Sequence, residues 1–128
     1  MIERVSPPGA PAPRGPYSPG VKAGDYVYVA GQVAMDPITG EAKLGDIKSE
    51  TRQTLLNVQA ILAGCGATMS QVVRCGVYLT NPADFQPMNE VYAEFFGDAK
   101  PARTTIIVAG LPMPEAKVEI DAIAYVGK

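Results

Sequence analysis

The sequence predicts an α+β domain with two layers, in which two helices cover one face of a mixed β-sheet. Two stretches carry apolar residues at helical spacing, and the stretches around them are rich in β-branched residues or alternate between apolar and polar ones. In chain order the predicted elements are β-β-β-α-β-α-β-β, which is enough for two packed layers. The 128 residues are expected to form a single domain, residues 1–128, with a hydrophobic core.

Residues 21–35 are predicted to form a hairpin or meander. The turn comes from Ala23-Gly24-Asp25, and residues 26–30, Tyr-Val-Tyr-Val-Ala, strongly favour a strand. Gly31 interrupts this strand. A glycine at such a place indicates a bulge, or a point where another group approaches the backbone closely.

The proline-rich segment 6–20 precedes this hairpin and can be read in two ways. It is typical of an extended, polyproline-like arm. However, Tyr17 stands between Gly15-Pro16 and Pro19, on a loop whose shape the prolines largely fix. A stiff loop that carries an aromatic hydroxyl is equally suited to line a cleft.

The first helix is predicted from its cap, Asp46, to about Ala63, with Gly64 and Gly66 ending it. Five residues at intervals of three or four form its buried face: Ile47, Thr51, Leu55, Val58 and Leu62. The second helix is predicted to start at Asp84 and to end at Gly97, with Pro87 in its first turn. Its buried stripe is Phe85, Met88, Tyr92 and Phe95, and Asn89 lies beside that stripe.

The segment between the helices, residues 72–80, is predicted to be a strand. It alternates, with Val73, Cys75, Val77 and Leu79 on one side. The last predicted strand, residues 117–126, directs Val118, Ile120, Ala122 and Ala124 to one face and Glu119, Asp121, Ile123 and Tyr125 to the other. A sheet face that two helices do not cover must be hidden elsewhere, so oligomerisation is expected.

Arg103 stands alone at the entry of an apolar, β-branched strand, Thr104 to Val108, directly after Pro101-Ala102. Its guanidinium either reaches solvent or binds a planar anion through a fork of hydrogen bonds. If the last strand pairs antiparallel with this one through the short turn at 112–116, Glu119 lies close to the arginine end.

Composition excludes several classes of function. The net charge is −2 and the lysines and arginines are scattered, which argues against a nucleic-acid-binding surface. The chain has no histidine, so a Ser-His-Asp triad and histidine metal sites are excluded. Two cysteines, no apolar run of about 20 residues and no secretory signal at the N-terminus lead us to expect a cytoplasmic protein without a membrane span.

An ordered set of short motifs resembles the RidA family (reactive intermediate deaminase A, also called the YjgF family). Each motif is weak, but together they run nearly from end to end in the family's order. They are Gly15-Pro16-Tyr17-Ser18, Gly31-Gln32, Asp36-Pro37-x-Thr39-Gly40-Glu41, Val77-Tyr78-Leu79-Thr80, Asp84-Phe85-x-x-Met88-Asn89-x-x-Tyr92-x-x-Phe95-Phe96, Pro101-Ala102-Arg103 and Leu111-Pro112-x-x-x-x-Lys117-Val118-Glu119-Ile120.

The resemblance implies a chorismate-mutase-like fold that assembles as a homotrimer with active sites at the subunit interfaces. It also implies hydrolysis of enamines and imines, such as 2-aminoacrylate or 2-iminobutanoate, to the 2-oxo acid and ammonia, without a cofactor or metal. By the same resemblance Arg103 holds the substrate carboxylate and Glu119 positions and activates the water. Tyr17, Asn89 and Thr105 correspond to substrate-binding positions, and Gly31 to one where the substrate approaches the backbone.

The chain departs from the family pattern at four positions of the expected site. Thr105 replaces a common cysteine and Ala30 a serine, Pro19 stands for glutamine, and Gly110 occupies a place that is often arginine. These departures bear on the range of substrates more than on the type of reaction, and two alternatives stay open beside the general deaminase. One is a non-catalytic module that binds small carboxylates or a protein in the same clefts, and the other is a dedicated pathway deaminase for an aminomuconate-like or aminoacrylate-like substrate.

Overall fold

A computed structural model describes all 128 residues as six strands and two long helices. The strands are β1 Ile2–Val5, β2 Gly20–Ala23, β3 Tyr26–Gln32, β4 Val72–Leu79, β5 Ala102–Ile107 and β6 Val118–Tyr125. The helices are α1 Ile47–Gly64 and α2 Phe85–Phe96. The predicted order β-β-β-α-β-α-β-β is confirmed, and so is the arrangement of two helices on one face of a mixed sheet. No helix is long and apolar enough to cross a membrane.

The six strands form one sheet in the order β1-β2-β3-β6-β4-β5. Only β4 and β5 run parallel to each other, because α2 carries the chain back between them. The antiparallel pairing of β5 with β6, considered above as the condition for bringing Glu119 close to Arg103, does not occur, since β4 lies between these two strands. The turn at 112–116 is short, but it connects strands that are not neighbours.

Helix α1 follows the sequence pattern closely. The Asp46 carboxylate caps it by accepting a hydrogen bond of 2.8 Å from the Ser49 backbone N–H. All five residues of its predicted stripe are buried. They pack on the buried faces of β3, β4 and β6, where Val27, Val77 and Ile120 have no exposed surface. This core occupies one face of the sheet, so the other face of each strand is not covered by the helices.

Helix α2 and strand β4 depart from the predicted pattern at their first residues. Asp84 occupies the N-cap position of α2 but its side chain makes no capping hydrogen bond, and Asn81 instead caps the short 3-10 turn before it. Phe85 is 38% exposed rather than buried. In β4 a bulge near Val72 turns Val73 outward, so Val73 is 45% exposed while Cys75, Val77 and Leu79 are buried as predicted.

A buried carboxylate ties the segment before β6 to the start of α1. Glu50 has no exposed surface, and its oxygens accept hydrogen bonds from the backbone N–H groups of Lys117 at 2.9 Å and Gly45 at 3.2 Å. The Lys117 ammonium lies 3.2 Å from the same carboxylate. Buried charges are stable only when they are paired in this way. The network therefore fixes the position from which β6, with Glu119, begins.

Candidate active site

Three of the six predicted site residues, Tyr17, Gly31 and Glu119, line one cavity of about 570 Å³. The walls come from the proline-rich segment at 11–19, the end of β3 and the loop at 112–114. Five of its fifteen lining residues are prolines, so the backbone around the cavity has little freedom. The reading of the 6–20 segment as a stiff loop beside a cleft agrees with this placement, in which Tyr17 is 48% exposed.

Gly31 is required by the position of the Glu119 side chain. A Cβ atom at residue 31 would overlap the Glu119 carboxylate, so only glycine leaves room for it. The strand register also slips between Val29 and Gln32, where β3 pairs with β6. The bulge and the glycine together let the carboxylate lie close to the β3 backbone.

The Glu119 carboxyl has a raised pKa. Burial is the main cause, and the negative charge of Asp121 adds to it. Asp121 follows two residues later on the same face of β6, and it is held by the Gly76 backbone N–H and the Tyr78 hydroxyl, each at 2.8 Å. A carboxyl group with a raised pKa beside a cavity is suited to act as a general base.

Replacing Glu119 by glutamine is expected to raise the melting temperature above pH 7. The raised pKa means that the folded state favours the protonated carboxyl, so stability decreases as pH rises from the unfolded value near 4.5 through the folded pKa. Glutamine removes this cost because it stays neutral. Melting curves of both proteins at several pH values test this, and below about pH 4 the difference should vanish.

The exposed Glu90 on α2 is the matched control, since it pairs with Lys48 on the surface at 3.0 Å. Glu90→Gln should leave the melting temperature nearly unchanged or slightly lower at every pH. If the Glu119→Gln protein were less stable than the parent at pH 8, the claim that the ionised Glu119 carboxylate destabilises the folded state would be wrong.

The other three predicted residues, Arg103, Asn89 and Thr105, lie where β5 meets α2. The Arg103 guanidinium lies over two aromatic rings of α2, 4.7 Å from the centre of Tyr92 and 5.7 Å from that of Phe85. Rings at these distances stabilise a cation and restrict its rotation. Arg103 lies on the edge strand β5 and is thus held in place while it remains half-buried.

Asn89 projects from α2 between Phe85 and Tyr92 in helical spacing, and Thr105 follows Arg103 on the same face of β5. The Asn89 Oδ1 and Thr105 Oγ1 atoms are both buried, and neither has a hydrogen-bond partner within the protomer. Buried polar atoms without partners are rare in folded proteins. Two of them on the elements that hold a cation indicate a site that takes a polar ligand.

Sequence reasoning missed the aromatic platform under Arg103, although Phe85 and Tyr92 are seven residues apart and so share one face of α2. It also treated Tyr92 only as core. The Tyr92 hydroxyl lies beside the Cys75 thiol and the Arg103 guanidinium without a hydrogen bond of good geometry. Burial raises the pKa of Tyr92, and it raises that of Cys75 to about 11, so both stay protonated.

The two groups of residues lie on opposite faces of the sheet. Arg103 is paired in register with Cys75, which is fully buried under the helices. Glu119 is paired with Tyr78 on the other face. Directly paired residues point to the same side of a sheet, so Arg103 and Glu119 of one protomer point away from each other. No group of three or more His, Cys, Asp and Glu side chains is placed to hold a metal ion.

Comparison with known proteins gives a single answer over nearly the whole chain. A family model described as Endoribonuclease L-PSP matches residues 8–126. A RutC family protein of Pyrococcus horikoshii is 49% identical over 98% of both chains. A 2-iminobutanoate/2-iminopropanoate deaminase of Dermatophagoides farinae is 42% identical over 95% of this chain and 94% of its own. The chain belongs to the RidA family.

Solved structures of the RidA family have the same fold. RidA from an Antarctic Psychrobacter superposes with a TM-score of 0.92 at 37% identity, covering 97% of this chain and 99% of that one. TdcF of E. coli, in a crystal structure with bound serine, gives a TM-score of 0.91 at 35% identity over 98% and 99%. Membership confirms the resemblance found in the motifs.

Proposed function

We propose that this protein hydrolyses reactive 2-imino acids and their enamine tautomers to 2-oxo acids and ammonia. The observation that carries the proposal is the Glu119 carboxyl, which is partly buried, has a raised pKa and rests on Gly31 inside a cavity that also contains Tyr17. Family membership and a relative named as a 2-iminobutanoate/2-iminopropanoate deaminase support the reaction type. TdcF with bound serine supports recognition of a small amino-acid-like ligand.

The proposed site is completed by a second copy of the chain, in a homotrimer with one cleft at each subunit interface. Supporting this is the placement of Arg103 and Glu119 on opposite faces, since neither can reach the other within a protomer. The sheet face without helices also carries large exposed side chains, including Tyr26 and Tyr28 at 44% each and Ile106 at 45%. Association would remove this surface from water.

In the proposed reaction Arg103 of one subunit binds the substrate carboxylate through two parallel N–H donors. The C=N carbon then lies over Glu119 of the neighbour. Glu119 takes a proton from a water molecule, whose oxygen bonds to that carbon while the C=N electron pair moves to nitrogen. The nitrogen takes this proton back from Glu119, which gives a carbinolamine. Glu119 then moves the proton of the carbinolamine hydroxyl to the nitrogen as the C–N bond breaks, so that ammonia leaves, the carbonyl of the 2-oxo acid forms and the Glu119 carboxylate is restored. Most of the acceleration in this scheme comes from positioning and proton transfer.

The remaining predicted residues have proposed binding roles. The Tyr17 hydroxyl accepts a hydrogen bond of 3.3 Å from the Arg14 backbone N–H, so its own proton is free for substrate or water. The unpaired Asn89 Oδ1 would accept a hydrogen bond beside the carboxylate on Arg103, and the unpaired Thr105 hydroxyl would donate or accept one there. Gly31 makes room for Glu119 and leaves the β3 backbone open to the cavity.

A trapping assay tests the proposal. An amino acid oxidase generates the imine from an amino acid of ordinary size, such as leucine or methionine, while semicarbazide competes for it. We expect the protein to reduce the semicarbazone formed and to speed release of the 2-oxo acid. Glu119→Gln should lose this effect by at least about 100-fold, because general acid–base catalysis contributes 10²–10⁴-fold.

Each other outcome selects a different function. A folded, trimeric protein that leaves trapping unchanged, yet binds 2-oxo acids in calorimetry, would be the non-catalytic binding module. Activity confined to one imine would indicate the dedicated pathway deaminase. The description of the family model as an endoribonuclease has little support in this chain, whose net charge is −2 and which has no histidine.

A further inference from the structure

A second arginine, Arg14, lines the same cavity as Glu119 and Tyr17. It is the only basic residue among the cavity's lining residues, and Glu119 is the only acidic one. The side chain is held in place, because its Nη2 donates a hydrogen bond to the backbone carbonyl of Gly40. Gly40 itself ends a turn in which the Asp36 carboxylate accepts hydrogen bonds from Ile38 and Thr39, so the anchor point is rigid.

The Arg14 guanidinium has no carboxylate partner in the protomer. The three ion pairs of the structure involve Lys48, Arg52 and Lys117. A guanidinium offers five N–H donors, and the Gly40 carbonyl takes donors from only one end of it. Arg14 is exposed, so the remaining donors are open to a ligand, and the residue lines a cavity whose other lining is largely proline and aliphatic. A fixed cation in such a wall is a binding site for a planar anion.

The proposed reaction places one carboxylate of every substrate on Arg103 of the neighbouring subunit, because Arg103 of the same protomer lies on the opposite face of the sheet from this cavity. Arg14 is therefore free to contact a part of the substrate other than this carboxylate and the imine carbon at Glu119, which leaves the side chain. A second carboxylate there would be repelled by ionised Glu119 unless a cation stood beside it. Arg14 supplies that cation.

We propose that Arg14 is a specificity residue that favours 2-imino acids whose side chain ends in a second carboxylate, the class formed by oxidation of aspartate or glutamate. This inference rests on the proposed function, because it concerns the side-chain pocket of the same site. Arg103 binds the carboxylate next to the imine in every substrate, and Arg14 binds the distal one only in the acidic class.

Paired kinetics test the proposal. Imines are generated from D-glutamate by D-aspartate oxidase and from D-leucine by D-amino acid oxidase, with semicarbazide as the competing trap in both. We expect the parent protein to prefer the glutamate-derived imine. Arg14→Gln should lower kcat/KM for that imine by about tenfold or more, since one charge-assisted hydrogen-bonded pair is lost. The same variant should change kcat/KM for the leucine-derived imine by less than about twofold. Arg14→Lys should recover part of the loss.

Arg4 on β1 is the matched control, because it is an exposed arginine without an ion pair and does not line the cavity. Arg4→Gln should leave kcat/KM unchanged for both imines. A measurement that needs no variant is product inhibition of the parent protein with the leucine-derived imine, in which 2-oxoglutarate should bind at least about tenfold more tightly than 2-oxohexanoate.

Three outcomes would overturn the inference. The first is a parent protein without preference for the acidic imine or for 2-oxoglutarate. The second is an Arg14→Gln variant in which kcat/KM falls equally for both imines. That result would mean that Arg14 only stabilises the structure through its hydrogen bond to Gly40. The third is hydrolysis of neither imine by the parent protein, which would overturn the proposed function as well and is thus distinguishable from the first two.

Discussion

Arg103→Ala is expected to lower kcat/KM for imine hydrolysis by about 10³-fold. Removing one partner of a desolvated, hydrogen-bonded charge pair costs 2–5 kcal/mol, and each 1.4 kcal/mol is a factor of ten in rate. The side chain is pre-positioned by the rings of Tyr92 and Phe85, so the parent protein loses little entropy when the substrate binds. Initial rates in the trapping assay, measured at several rates of imine supply, give the ratio of kcat/KM between parent and variant.

Two variants separate the fork of hydrogen bonds from the charge. Arg103→Lys keeps a cation over the rings but cannot form two parallel bonds, so we expect it to retain only a small part of the activity. Arg52→Ala removes an exposed arginine that pairs with Glu94 at 2.9 Å between the helices, and it should leave kcat/KM unchanged. An Arg103→Ala protein within tenfold of the parent would exclude Arg103 as the carboxylate anchor.

The second expected result is recovery of activity when two inactive variants are assembled together. Arg103→Ala and Glu119→Gln are each expected to be inactive, because each loses one side of every cleft. In trimers formed from equal amounts of both, about a quarter of the clefts pair an intact Glu119 with an intact Arg103 from the next subunit, as random cyclic assembly requires. Refolding the mixture from denaturant and measuring imine hydrolysis should give about a quarter of the parent activity.

Mixing the two folded variants without refolding is the control, and it should give activity only as fast as subunits exchange. A second control is a double variant that carries both changes in one chain. Refolded with an equal amount of the parent chain, it should also leave about a quarter of the clefts intact, because both subunits of an active cleft must then be parent chains. If the refolded mixture remains as inactive as its components while chromatography shows mixed trimers, Arg103 and Glu119 do not act on the same substrate.

The sequence was informative wherever a contact is local. Helix α1 could be placed because its cap, Asp46, and its buried stripe are all encoded within about twenty residues. The alternation along β6 was equally clear, and Glu119 and Asp121 face away from the helices as expected. Arg103, Tyr17 and Gly31 stood out from their local sequence, while the roles of all six candidate site residues came from the resemblance, and the structure groups the six into two sets of three.

What could not be predicted is which strands become neighbours. The turn at 112–116 is short enough for a hairpin, and strand β5 has weak alternation because its exposed and half-buried residues differ little in polarity. Helix α2 decides the outcome, since it returns the chain so that β5 lies parallel to β4 and leaves the other edge of β4 to β6. The face on which Arg103 lies depends on that choice, and so does the relation of its side chain to Glu119.

The placement of Arg103 and Glu119 on opposite faces of one sheet has a consequence for how this protein behaves at low concentration. If both act on one substrate, an isolated chain is inert however well it folds, because its anion anchor and its base face away from each other. The active fraction of the protein then follows the association equilibrium, and the protein loses activity when it is diluted below the dissociation constant of the assembly. Under the same condition a damaged chain that folds but cannot associate would also be inactive, so only correctly assembled protein would hydrolyse the substrate.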